Sequence, residues 1–136
     1  QMCIRDRFNT MNTSANATTS TTWVYDTYSQ LDFTLNSDSH VIIIAQYGNM
    51  NGETIGSHGL AVRLELDNVA LTNTERQSAP TGGNMANKIV TLYYDYLLAG
   101  SHTLKTQYKA LYSGEYARIS RRQIIAIAIP ETYFIP

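Results

Sequence analysis

Along residues 99–130, AGSHTLKTQYKALYSGEYARISRRQIIAIAIP, side-chain character alternates with a period of two, and no helical repeat of apolar positions appears. In the first half Leu104, Thr106, Tyr108 and Ala110 fall on one side, with Lys105, Gln107 and Lys109 on the other. In the second half Ile125, Ile127 and Ile129 alternate with Ile124, Ala126 and Ala128. The pattern predicts two long strands joined by a turn at Ser113-Gly114. A strand with one polar side covers a core with its other side, whereas one apolar on both sides must be covered twice. The Ile-rich end is therefore expected to be a central or subunit-covered strand.

The same alternation organises the chain upstream. Trp23 and Tyr25 flank Val24 in one predicted strand, and Leu31, Phe33 and Leu35 alternate with Asp32 and Thr34 in a second, ahead of a turn at Asn36-Ser37-Asp38-Ser39. His40 to Gln46 contains VIIIA, apolar on both faces, and is expected deep in a sandwich. Leu60, Val62, Leu64 and Leu66 alternate with Ala61, Arg63, Glu65 and Asp67, and Val69 to Thr72 reads as a short hairpin arm after Asp67-Asn68. Lys88 to Leu97 is a further strand, while residues 48–59 and 74–87, both containing several glycines or a proline, read as long loops able to carry function. About eight strands, spaced by roughly 8–15 residues with turn signals between them, predict an all-β antiparallel β-sandwich or jelly roll. No helix and no internal repeat is evident.

Composition narrows the function. A chain of 136 residues is one domain plus at most a tail, and its single cysteine, Cys3, cannot form an internal bridge. Charged residues make up 15% and the formal net charge is −1, which argues against nucleic acid and anionic membranes as partners. No apolar run reaches the length of a membrane span. The opening QMCIRDR resembles peptide strings translated from sequencing-adapter bases at the edges of assembled environmental DNA, so residues 1–7 are expected to be an artefact, with native chain extending upstream. Residues 8–22, FNTMNTSANATTSTT, carry too little apolar surface to offset their ordering entropy and read as a linker or arm, with two glycosylation-like triplets inside it. The sandwich is then residues 23–130, followed by an extension, residues 131–136.

Candidate chemistry is sparse. His40, His58 and His102 fall in separate segments without metal-ligand spacing, and no metal or cofactor is expected. Asn49, Asn51 and Glu53 place oxygen donors at alternate positions of the first glycine loop, close to His58, without a full calcium-loop pattern. Asp26, Asp32 and Asp38 are of the residue type a glycosidase pair needs, but nothing indicates a cleft, and no nucleophile elbow or phosphate loop is present. The chain is expected not to be an enzyme. Ten tyrosines, among them Tyr93, Tyr94, Tyr96 and Tyr108, offer rigid amphipathic contact area suited to a sugar platform or a subunit interface. Arg118, Arg121 and Arg122 are expected to pair with Glu65, Asp67 or a neighbour's carboxylate.

The residues also carry a resemblance. Ala99-Gly100-Ser101-His102-Thr103-Leu104, then Gln107, a Gly turn, and Ala117-Arg118-Ile119 leading into Arg122-Gln123-Ile124-Ile125-Ala126-Ile127, resemble the closing hairpin of jelly-roll domains in phage tail and virion proteins. The layout over Thr21 to Pro130 is also similar to C1q/TNF-like heads, although the apolar extension after Pro130 is not part of that pattern. The resemblance implies a non-enzymatic virion or tail-associated protein, extracellular or in the virion, assembling with itself, a trimer being favoured, and attaching through loops. Ile125 and Ile127 would serve its interface. A pilus-like filament subunit exchanging its N-terminal arm is the alternative reading. A carbohydrate-binding module, with a cell-surface glycan as partner, is the next.

Overall fold

The computed structural model describes residues 6–50, 59–78 and 86–133. Ten strands run as β1 (Asp6–Asn12), β2 (Asn16–Thr18), β3 (Val24–Leu35), β4 (Ser39–Met50), β5 (Leu60–Leu66), β6 (Val69–Ser78), β7 (Ala86–Leu97), β8 (Gly100–Ala110), β9 (Ala117–Ile119) and β10 (Arg121–Pro130). A single 3₁₀ turn, Glu131–Tyr133, follows them. No helix among the described residues is long and apolar enough to cross a membrane.

Two four-stranded antiparallel sheets face each other, ordered β1-β10-β4-β7 and β3-β8-β5-β6, with β2 and β9 paired beside them. The pairings are nested: β5 with β6, β4 with β7, β3 with β8, and β1 with β10. A long hairpin rolled up so that its successive pairs alternate between two sheets gives this order, which is the jelly-roll topology of an antiparallel sandwich. Asp67 and Asn68 close the innermost hairpin with φ of 50° and 67°, the left-handed pair a tight two-residue turn requires.

The core is built by alternation. Leu31, Phe33 and Leu35 from β3, Val41, Ile43 and Ala45 from β4, Leu104 and Tyr108 from β8, and Ile124, Ala126 and Ala128 from β10 all point between the sheets. Hydroxyls inside it are satisfied locally, since Ser29 Oγ donates to Thr106 Oγ1 at 2.8 Å and the Tyr47 hydroxyl also meets Thr106 at 2.8 Å.

Several boundaries differ from the sequence reading. Residues 99–130 are not a paired hairpin: β8 and β10 lie in different sheets, β10 between β1 and β4, and β8 between β3 and β5. Alternation specifies which side of a strand meets the core, and it is the same whether the next strand lies beside it or across the core. Val24–Tyr25 and Leu31–Leu35 belong to one strand, β3, which starts just after Trp23 and whose pairing with β8 shifts register between Tyr25 and Gln30. Four residues of β3, 26–29, stand against the single residue 106 of β8, and this odd excess of three breaks the alternation that a continuous strand would show. The polar segment read as a linker enters the sandwich, because β1 pairs with β10 and β2 with β9, and Phe8 stacks 5.1 Å from Phe33. β6 and β7 extend into the span read as a second loop.

Candidate functional site

The outward side of the β1-β10-β4-β7 sheet is apolar over the middle of β10, β4 and β7, between a polar β1 margin and a polar end row. Strict register places Arg7, Ile127, Ile42 and Tyr94 in one transverse row, and Asn9, Ile125, Ile44 and Leu92 in the next. Ile129, His40 and Tyr96 form a row at one end, and Met11, Gln123, Gln46 and Val90 form one at the other. Directly opposed residues of antiparallel strands share a face, so these rows form one continuous surface. Its β7 margin is the most open: Val90, Leu92, Tyr94, Tyr96 and Leu98 are 41–64% exposed. Together they leave on the order of 500 Å² of surface uncovered, within the range of the largest patch on a typical monomer, which is often a functional one.

At one end of this face the rings are locked together. His40 stacks on Tyr94 with centroids 5.8 Å apart and meets Tyr96 edge-on at 5.2 Å. Its Nε2 donates to the Glu131 carboxylate, and its Nδ1 is hydrogen-bonded to the Tyr94 hydroxyl. The 3₁₀ turn after β10 thus ties the C-terminal end of that strand to β4 and β7.

The sequence-derived candidates separate here. Ile125, Ile127, Tyr94 and Tyr96 lie on the outward face. Tyr93 points the other way, packs on the core and donates to Asp95 Oδ2 at 2.9 Å; burial, then that carboxylate, raises its pKa. Tyr108 is 2% exposed and belongs to the core, where burial and the charge of Asp26 push its pKa up to about 12. Its inward position follows from the same alternation that puts Lys105, Gln107 and Lys109 outside. Asn49 sits on β4 opposite Asn87, while Asn51, Glu53 and His58 lie outside the described residues. The run VIIIA is not covered on both sides, since Ile42 and Ile44 are half-buried on the outward face and only Val41, Ile43 and Ala45 are in the core.

Two arrangements were not legible beforehand. Arg122 does not reach Glu65 or Asp67. Its Nε lies 2.7 Å from Asp26 Oδ2, both side chains being 0% exposed, in an ion pair that is not aligned as a hydrogen bond. The guanidinium also donates to the carbonyls of Ser14, Asn12 and Ile119, and Asn16 Nδ2 donates to Asp26 Oδ1 at 3.1 Å. A buried pair therefore fastens the β1–β2 connection to β3, β9 and β10. On the outer face of the second sheet, Arg63 and Lys109 lie 4.3 and 4.7 Å from the Trp23 ring centre, and Tyr25 donates to Glu65 Oε2 at 2.8 Å. The glycosidase-type carboxylates are dispersed: Asp26 is held by Arg122, Asp32 accepts from Thr103, and Asp38 accepts from the Ala99 backbone at 2.8 Å.

No family model matches the chain, and no curated protein matches its sequence. Among solved structures, the chain is similar to PRD1 vertex protein P5, with 14% identity and a TM-score of 0.50 over 94% of this chain and 99% of that one. It is also similar to VP2 of the infectious bursal disease virus subviral particle, with 10% identity and a TM-score of 0.53 over 92% of this chain and 32% of that one. Likeness at this identity concerns backbone architecture, and it agrees with the strand order described above: the chain has the jelly-roll β-sandwich fold found in those particle proteins.

Proposed function

We propose that this chain is a non-enzymatic structural protein of a virus particle that assembles with copies of itself, a trimer being favoured, through the apolar rows of β10, β4 and β7 on the outward face of the β1-β10-β4-β7 sheet, short of the polar row of Gln123 and Gln46. The observation that carries the reading is the continuous apolar face, which a lone chain leaves in water. The two structural neighbours, one named a vertex protein and one a subviral particle, support a place in the virion. The nested pairing supports attachment at one end of the sandwich. Met50 pairs with Ala86, and Leu60 pairs with both Ser78 and Ala110, so the strands flanking 51–58, 79–85 and 111–116 all terminate at that end. Segments that join strands at one end of a rigid sandwich are the usual place for a binding surface. β1 pairs within its own chain, which favours a self-contained subunit over exchange of the N-terminal arm.

Light scattering at several concentrations tests the assembly. The protein is expected to give one discrete oligomer, and Leu92→Lys, on the open margin, is expected to give a folded monomer with little change in thermal stability. A concentration-independent monomer from the unmodified chain would refute the reading.

A further inference from the structure

We propose that the cleft at the polar end of the outward face, where β1, β4 and β10 meet beside the loop end, binds an acidic sugar residue. The cleft holds about 280 Å³ and is lined by Met11, Thr13, Gln46, Gly48, Arg121 and Gln123, among others. That volume lies near the lower bound of small-molecule sites, roughly 300 Å³, and suits one ring with its substituents. Gly48 stands opposite Arg121 on neighbouring strands, and a Cβ there would lie 3.3 Å from Arg121 Cβ, so the missing side chain keeps the floor open beside the guanidinium.

The donor set identifies the ligand class. Arg121 is exposed, and no carboxylate pairs with it among the described residues, whereas the adjacent Arg122 is neutralised by Asp26. One uncompensated guanidinium recognises one carboxylate through paired N–H bonds. Next to it Gln46 Nε2 donates to Gln123 Oε1 at 2.8 Å, and Gln123 Nε2 donates to Asn9 Oδ1 at 3.2 Å. This chain fixes both amides and leaves the Gln46 carbonyl oxygen as an acceptor, a complement to sugar hydroxyls. Met11, 68% exposed, supplies an apolar edge for the C–H side of a ring. A polyanion such as nucleic acid would need several such cations, and of the cations among the described lining residues only Arg121 is without a carboxylate partner.

The inference rests on the attachment role above, and its test is separate from that of assembly. Methyl glycosides of glucuronic acid and N-acetylneuraminic acid, methyl galactoside and sodium acetate are titrated into the full chain by NMR or calorimetry. Both acidic glycosides, or one of them, are expected to bind with Kd on the order of 1 mM. The neutral glycoside and acetate are each expected to bind about tenfold more weakly, or less. Arg121→Ala should weaken acidic-sugar binding about tenfold or more, and Gln46→Leu severalfold, with the mass in solution unchanged for both. No saturable binding of either acidic glycoside, equal binding of acetate or of the neutral sugar, or full affinity in Arg121→Ala would each overturn the proposal. A monomer that still binds through Arg121 would overturn the assembly reading alone.

Discussion

Removing Asp26 while leaving Arg122 in place should be among the most damaging single changes to this fold. Both side chains are 0% exposed, so Asp26→Ala strands a guanidinium in the interior with its charge uncompensated. Breaking a buried pair from one side costs about 3–5 kcal/mol, against a total stability of roughly 5–15 kcal/mol for a domain. Asp26 Oδ1 also accepts from the Tyr28 amide at 3.2 Å and from Asn16, and each lost bond contributes about 1 kcal/mol, partly within the same sum. At about 3–4 °C per kcal/mol for a domain of this length, the melting temperature should fall by about 10–20 °C. Asp26→Leu with Arg122→Met should recover part of this loss, because no charge remains buried, although the carbonyls of Asn12, Ser14 and Ile119 lose their donor. Urea unfolding followed by the fluorescence of Trp23, the single tryptophan, measures Asp26→Ala and the four corners of the cycle made by Asp26→Leu and Arg122→Met. A loss under about 1 kcal/mol for Asp26→Ala, or a coupling below about 0.5 kcal/mol, would refute the assignment of this pair as the fastening of β1 to the sandwich.

Deleting residues 6–18 should expose the β10 edge and lower both stability and resistance to aggregation, measurable by thermal unfolding and light scattering, since β1 pairs with β10 from Asp6 to Asn12. His102 donates from Nδ1 to Asp67 Oδ2 at 2.7 Å and from Nε2 to the Leu98 carbonyl at 2.8 Å, so both nitrogens face acceptors. Burial lowers its pKa, but the Asp67 hydrogen bond, the Leu98 carbonyl and the Asp67 charge together raise it above the ordinary value. Its contribution to stability is then full below a pH of about 6.5 and is lost as pH rises through the raised value, so the stability gap between the protein and His102→Ala should shrink from pH 6 to pH 8.5. An NMR titration midpoint below that of a free histidine would contradict this. Gly59→Ala should destabilise by about 1–3 kcal/mol in urea, because the new Cβ would lie 2.7 Å from Leu111 Cβ while the Leu111 amide stays bonded to the Gly59 carbonyl at 3.1 Å.

The fastening of β1 shows why a polar segment can be structured. Read as composition, residues 8–22 have too few apolar side chains to order themselves, and in isolation that reasoning holds. In the folded chain the cost is met from elsewhere: β10 supplies the ladder, Phe33 supplies a partner for Phe8, and the buried Arg122 supplies donors to two carbonyls of the connection. None of these partners is near in sequence.

The amino-acid sequence alone determined that the chain is all-β, where most of its strands lie, β1 and β2 excepted, and, through the period of two, which side of most strands faces the core. Leu31 to Leu35, Leu60 to Leu66 and Ile124 to Ala128 all place their core residues as that periodicity requires, because a pleated strand turns alternate side chains to opposite faces whatever lies next to it. The tertiary structure decided everything that depends on which strands are neighbours. It separated β8 from β10 into opposite sheets, aligned Ile42, Ile44, Ile125 and Ile127 with the outward residues of β7, buried Tyr108, and brought Asp26 to Arg122 across 96 positions of sequence. Periodicity is a local property of the backbone, whereas pairing, charge compensation and the shape of a cleft are set by long-range packing, which a single sequence leaves unspecified.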